Sequence, residues 1–158
     1  MAEFAYNPIQ LVEPNQNIIL DTVIPCNKGY VYHRDQSGIV ILRGIVNCPQ
    51  ACFARYQVTF NGNIALPDGA EVGPISIAIA IDGEPVQTSR AIVTPAATAE
   101  DPPTAANFFN VTSTAIINVP KGCCFTVAIE NTSGPAATGG VAPEILVQNA
   151  NMTVARIA

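Results

Sequence analysis

The strongest constraint on this chain is its punctuation. Thirteen prolines and eleven glycines recur at short intervals along 158 residues, and the runs between them are rich in Val, Ile, Thr, Phe and Tyr. A helix needs apolar residues at i, i+3, i+4 and i+7 over about three turns, with caps at its ends. No stretch of this sequence carries that pattern. What remains is a series of short strands joined by turns, an all-β chain.

The spacing predicts strands over 17–24, 38–45, 54–60, 75–81, 85–93, 108–119, 123–130 and 145–157. Asn61-Gly62 and Asp82-Gly83 read as hairpin turns, because both dipeptides accept a left-handed backbone. Pro120-Lys121-Gly122 reads as another turn. Residues 1–16, with Pro8, Pro14, Phe4 and Tyr6, read as an N-terminal arm ahead of a domain spanning 17–158. The stretches 94–106 and 134–143 read as loops, the first broken by proline.

Successive side chains of a strand point to opposite faces. Ile75, Ile77, Ile79 and Ile81 therefore share one face, and Ser76, Ala78 and Ala80 the other. Cys123, Phe125, Val127 and Ile129 alternate in the same way with Cys124, Thr126, Ala128 and Glu130. The first face of each strand belongs to a core. The second is small and largely apolar, which suits the close approach of another surface. The expected architecture is a two-sheet antiparallel jelly-roll sandwich.

Composition adds a second constraint. Charged residues make up 12% of the chain, about half the usual share of roughly 25%. Such a chain is expected to cover part of its surface by forming an oligomer. The net charge is −5, and the seven Lys and Arg residues are scattered. That argues against nucleic acid and anionic membranes, which attract clustered positive charge. No apolar run reaches the roughly 18 to 20 residues of a membrane span. The first 17 residues lack the basic start and apolar centre of a signal peptide, so synthesis in a bacterial cytoplasm is expected.

Chemistry-bearing residues are few. Cysteines stand at 26, 48, 52, 123 and 124, an odd number that does not read as a disulfide framework. Cys48 and Cys52 flank Pro49 in a loop, where a disulfide and half of a zinc site both fit. Adjacent strand residues face opposite ways, so Cys123 and Cys124 do not converge on one ion. The alternative places Cys123 in the core and the other cysteines as small buried or interface groups. His33 is the only histidine and sits between Tyr32 and Arg34 ahead of a turn. It is expected to be solvated, and it has no partner motif for nucleophilic catalysis. A single histidine also rules out a cupin-type metal centre.

Asp68, Asp82 and Asp101 stand at turn positions, where turn chemistry accounts for them without a calcium loop. Asn110, Asn131 and Asn151 begin Asn-x-Ser/Thr triplets, which matter as glycan acceptors only in a secreted protein. Gly73-Pro74 and Gly139-Gly140 lack the strand-then-helix setting of a phosphate loop. No catalytic residue, cofactor or metal is expected.

The order of segments resembles a known superfamily. An aromatic strand ending in Asn-Gly (54–62), an Ile-rich strand running into Asp-Gly (75–83), a Val-Pro-Lys-Gly turn between strands (119–122) and a C-terminal strand (150–158) follow one another. The series is similar to the globular heads of the tumour necrosis factor and complement-head superfamily, and most similar to heads of bacterial spore-surface proteins and small phage virion proteins. The resemblance implies a ten-strand jelly roll that forms a homotrimer and is not an enzyme. Ala78, Ala80, Cys124, Thr126 and Ala128 are then expected to line the subunit contact. The chain lacks a collagen-like stalk, so the resemblance implies a phage head-decoration or head-fibre protein at the virion surface before a spore or cell-surface protein. The N-terminal arm is expected to reach a capsid protein. The alternative is a module binding a glycan or host receptor through loops 94–106 and 134–143, against which stands the lack of any Trp, Tyr or Phe in either loop.

Overall fold

The computed structural model describes residues 1–24 and 29–158. Twelve strands and one turn of 3-10 helix make up the described chain. Strands β1 (Ala2–Tyr6), β2 (Gln10–Val12), β3 (Thr22–Ile24), β6 (Phe53–Ala65), β10 (Phe109–Pro120) and β12 (Ile145–Arg156) form one sheet. Its order is β10-β6-β12-β1-β3, with β2 also paired to β12. Strands β4 (Val31–His33), β5 (Val40–Arg43), β7 (Ile75–Ile81), β8 (Glu84–Pro85), β9 (Ala91–Val93) and β11 (Cys124–Asn131) form the second, in the order β4-β5-β11-β7-β8, with β9 also on β7. Every pairing is antiparallel.

The two sheets close on a single apolar layer. Tyr56, Val58 and Phe60 of β6, Met152 and Val154 of β12, and Phe4 of β1 face Leu42, Ile75, Ile77, Ile79, Val127 and Ile129 of the other sheet. The alternation of β7 holds as expected, with Ile75, Ile77 and Ile79 fully buried. A smaller apolar cluster lies on the outer side of the first sheet. There Ala99 and Phe108 of the 94–108 connection cover Ala65 and Leu146, and Ala99 N–H donates to the Leu66 carbonyl. The expected loop at 94–106 is thus partly docked.

The expected N-terminal arm is corrected. Residues 2–6 pair with both β12 and β3, and residues 10–12 pair with β12. Ala2 and Phe4 are buried, so the jelly roll begins at the start of the chain instead of at residue 17. Burial of the Phe4 side chain supplies about 2 kcal/mol toward holding this segment down. β12 changes partner from β2 to β1 along its length, and the switch falls at an irregularity between Gln148 and Asn151. Asn149 has a positive φ of 52° there, the local bend that a bulge introduces.

The turns divide. Asp82 and Gly83 both have positive φ, at 51° and 83°, and join β7 to β8 as a two-residue hairpin. Asn61-Gly62 is no turn. It lies inside β6, which runs unbroken from Phe53 to Ala65. Glycine is required there because a Cβ at Gly62 would stand 2.8 Å from the Phe60 ring. The predicted strand at 85–93 breaks into β8, a turn at Gln87–Ser89 and β9. Ser89 fills the gap: its hydroxyl accepts from Ile79 N–H at 2.9 Å and donates to the Val86 carbonyl at 2.7 Å. Within the predicted strand 17–24, only residues 22–24 are a strand, and Asn17 makes a single bridge to Glu130.

Candidate interaction surfaces

The outward face of the first sheet carries an ordered field of hydroxyls and amides. Thr153, Thr59 and Thr114 stand side by side across β12, β6 and β10, and Asn151, Asn61 and Thr112 form the next row. Neighbours in these rows bond to one another. The Thr59 and Thr114 hydroxyls are 3.1 Å apart. Asn61 Nδ2 donates to Thr112 Oγ1 at 2.8 Å, and Asn110 Nδ2 donates to Asn63 Oδ1 at 3.2 Å. Glu3, which accepts from Asn151 Nδ2, and Arg55, whose Nε donates to Asn118, are the charged side chains on these outward strand positions. Leu11, Ile24, Phe53, Ile116 and Ile157 add exposed apolar area around the field.

The outward face of the second sheet holds the expected contact set. Ala78 and Ala80 are 1% exposed within the single chain and Ala128 7%, whereas Cys124 and Thr126 are exposed. Charged groups interrupt this face. Asp82 Oδ1 accepts from both the backbone N–H and the hydroxyl of Thr126, at 2.8 and 3.0 Å. Arg90 donates to Ser76 Oγ and to the Thr132 carbonyl. Glu130 lies beside Ala78 and is 7% exposed. Burial, reinforced by the charge of Glu84, raises its carboxyl above the ordinary carboxylate range.

At one end of the sandwich a cavity of about 890 Å³ opens between the sheets. Its wall includes Tyr30, Asn47, Cys48, Cys52, Phe53 and Arg156. The Arg156 guanidinium lies 4.2 Å from the centre of the Tyr30 ring, a cation–π contact. Its Nε donates to the Ala158 backbone oxygen, and its Nη1 is buried without a partner.

The remaining sequence candidates fall apart in space. His33 is not solvated: it is 8% exposed, stacked on Phe4 at 5.2 Å, with Nε2 2.9 Å from the Ser37 carbonyl. The last residue of β4 points inward here because alternation continues to the strand's end. Cys123 is exposed and not a core residue. Cys48, Cys52 and Cys124 are exposed as well, and Cys26 lies outside the described residues. Among the described residues, no three His, Cys, Asp or Glu side chains converge as a metal site. Asn131 is buried and donates to the Val12 and Pro143 carbonyls. It is a structural amide, while Asn110 and Asn151 belong to the outward field. The sequence held the signal for that field in the polar alternate positions of 57–63 and 110–114, but the reading of Asn-Gly as a turn cut it in two. No helix of the described chain is long and apolar enough to cross a membrane.

No family model matches this sequence, and no curated protein matches it. Solved structures do. The chain is similar to the Eiger TNF of S. frugiperda, at 11% identity and a TM-score of 0.53, with 100% of this chain and 92% of that chain covered. It is also similar to the globular domain of a zebrafish complement 1qA protein, at 10% identity and a TM-score of 0.49, covering 96% and 94%. A third match is the EclA C-terminal domain, a sugar-binding protein, at 13% identity and a TM-score of 0.40, covering 94% and 79%. The fold is thus an all-β, two-sheet jelly roll of the tumour necrosis factor type.

Proposed function

We propose that this protein is a non-catalytic head that associates into a homotrimer and acts by display and binding at an assembled surface, in the first place that of a virion. The observation that carries the reading is the outward field of the first sheet. It is internally hydrogen-bonded and nearly free of charge, in a chain whose charged share is only 12%. The cores of subunit interfaces are depleted of charge in the same way. The subunit contact is therefore assigned to this face. Ala78 and Ala80, the centre of the expected set, are already covered within one subunit and have almost no area left to offer. Residues 2–6 and 10–12 are bound into the sheet, so on this reading a capsid protein meets a surface other than these residues.

Light scattering coupled to size-exclusion chromatography tests the assembly. Three copies of the 16.6-kDa chain give a species of about 50 kDa. Thr59→Arg places a charge at the centre of the field and is expected to yield folded monomer. Thr126→Arg on the opposite sheet is expected to leave the mass unchanged. A monomeric wild type, or dissociation by Thr126→Arg alone, overturns the assignment. Recovery of the protein in purified particles tests the virion setting, and its absence from them removes that part of the reading.

A further inference from the structure

The segment between β5 and β6 carries two thiols, Cys48 at the start of a short turn and Cys52 one residue past its end. Ala51 N–H donates to the Cys48 carbonyl at 3.0 Å, closing a β-turn with Pro49 and Gln50 at its centre. Proline suits that first central position because its φ is already set. The turn brings Cys48 and Ala51 within about 7 Å, and Cys52 is the next residue, which keeps the two cysteines near the Cα separations of roughly 4.4–6.8 Å that a disulfide spans. Both sulfurs lie against the same residue. Cys48 Sγ is 3.0 Å from Gln50 Oε1, and Cys52 Sγ is 3.9 Å from the Gln50 carbonyl oxygen. The loop is held from outside at both ends: Lys121 N–H donates to the Cys52 carbonyl at 2.9 Å, and Lys121 Nζ donates to the Pro49 carbonyl at 3.2 Å. Both thiols are free and exposed, so a small soluble oxidant reaches them.

We infer that Cys48 and Cys52 form a dithiol–disulfide site that closes within one chain. The reaction is exchange with a low-molecular-weight disulfide, for which oxidised glutathione serves as the probe. One thiolate of the pair attacks a glutathione sulfur. The glutathione S–S bond breaks, one glutathione thiolate leaves, and a mixed disulfide forms. The second cysteine loses its proton to solvent and attacks the protein sulfur of that mixed disulfide, releasing the second glutathione. Two protein thiols are oxidised, one small disulfide is reduced, and the protons end on the two glutathiones. The closed loop joins two residues of the wall of the 890 Å³ cavity.

The sequence makes the test clean. Cleavage after Arg and Lys places Cys48 and Cys52 together in peptide 44–55, Cys26 in peptide 1–28 and the Cys123-Cys124 pair in peptide 122–156. The intact protein is equilibrated with a series of reduced and oxidised glutathione mixtures, quenched in acid, alkylated, digested and weighed. Peptide 44–55 is expected to lose two hydrogens and escape alkylation as oxidised glutathione rises. Cys48→Ser should convert that product to a mixed disulfide at Cys52, while Cys123→Ser should leave it unchanged. Full alkylation of both thiols in excess oxidised glutathione overturns the inference. So does arrest at mixed disulfides in the wild type, or a bridge from Cys48 or Cys52 to another peptide or a second chain. None of these readings depends on the trimer.

Discussion

Tyr56 illustrates how the core settles a polar atom. Its ring is fully buried, and its hydroxyl donates to the Arg43 carbonyl at 2.6 Å, where β5 ends. Tyr56→Phe keeps the ring and strips that carbonyl of a buried donor, at a cost of about 1–2 kcal/mol. A urea titration with unchanged slope and a lower midpoint is the expected result. Glu130 makes a different case, because its carboxyl is raised by burial and by Glu84 from a starting value of 4.5. The folded state therefore holds the proton more tightly than the unfolded chain. The stability it contributes is complete below the unfolded value and is lost as pH rises through the folded one. Glu130→Gln should match wild type in melting temperature in acid and exceed it increasingly toward neutral pH. Parallel melting curves across that range would remove Glu130 as the cause.

At the scale of elements, the end of β5 and the turn after β10 are clasped through glycine. Gly44 N–H donates to the Cys123 carbonyl at 2.8 Å, and Gly122 N–H donates to the Gly44 carbonyl at 3.0 Å. A Cβ at Gly44 would lie 1.9 Å from the Pro120 carbonyl oxygen. Gly44→Ala must push the two segments apart and should cost about 1–3 kcal/mol or more, read as a fall in melting temperature that Gly134→Ala does not share, since nothing stands within 4 Å of a Cβ there. Elements of this size were largely legible in the sequence. β7, β10, β11 and β12 lie where alternation and Val-Ile-Thr runs put them. The failures have physical reasons. Gly62 satisfies a ring contact from within a strand, and dipeptide composition reads only backbone freedom. Residues 1–16 contain two prolines and look irregular, yet β1 and β2 need only five and three residues between them to dock. The outward field was present as alternate polar positions. The cavity was not, because Tyr30 and Arg156 meet only once the sheets close.

Across the whole molecule, charge is distributed by face. The first sheet presents Thr and Asn outward and is the surface assigned to self-contact; the second carries Arg43, Asp82, Glu84 and Arg90 at or beside its strands and is suited to water. The comparison of Thr59→Arg with Thr126→Arg asks which of the two faces governs mass. The position of β12 has a consequence in time as well as in space. It is the last strand of the described residues, and it sits between β6 and β1 and also holds β2. While the protein is being synthesised, β6 and β10 can pair as they emerge and β1 can pair with β3, but β1 and β2 are joined to β6 only once residues 145–156 leave the ribosome. The apolar face of β1 must therefore go without its β12 neighbour while residues 7–144 are made, an interval in which that face stays open to other contacts.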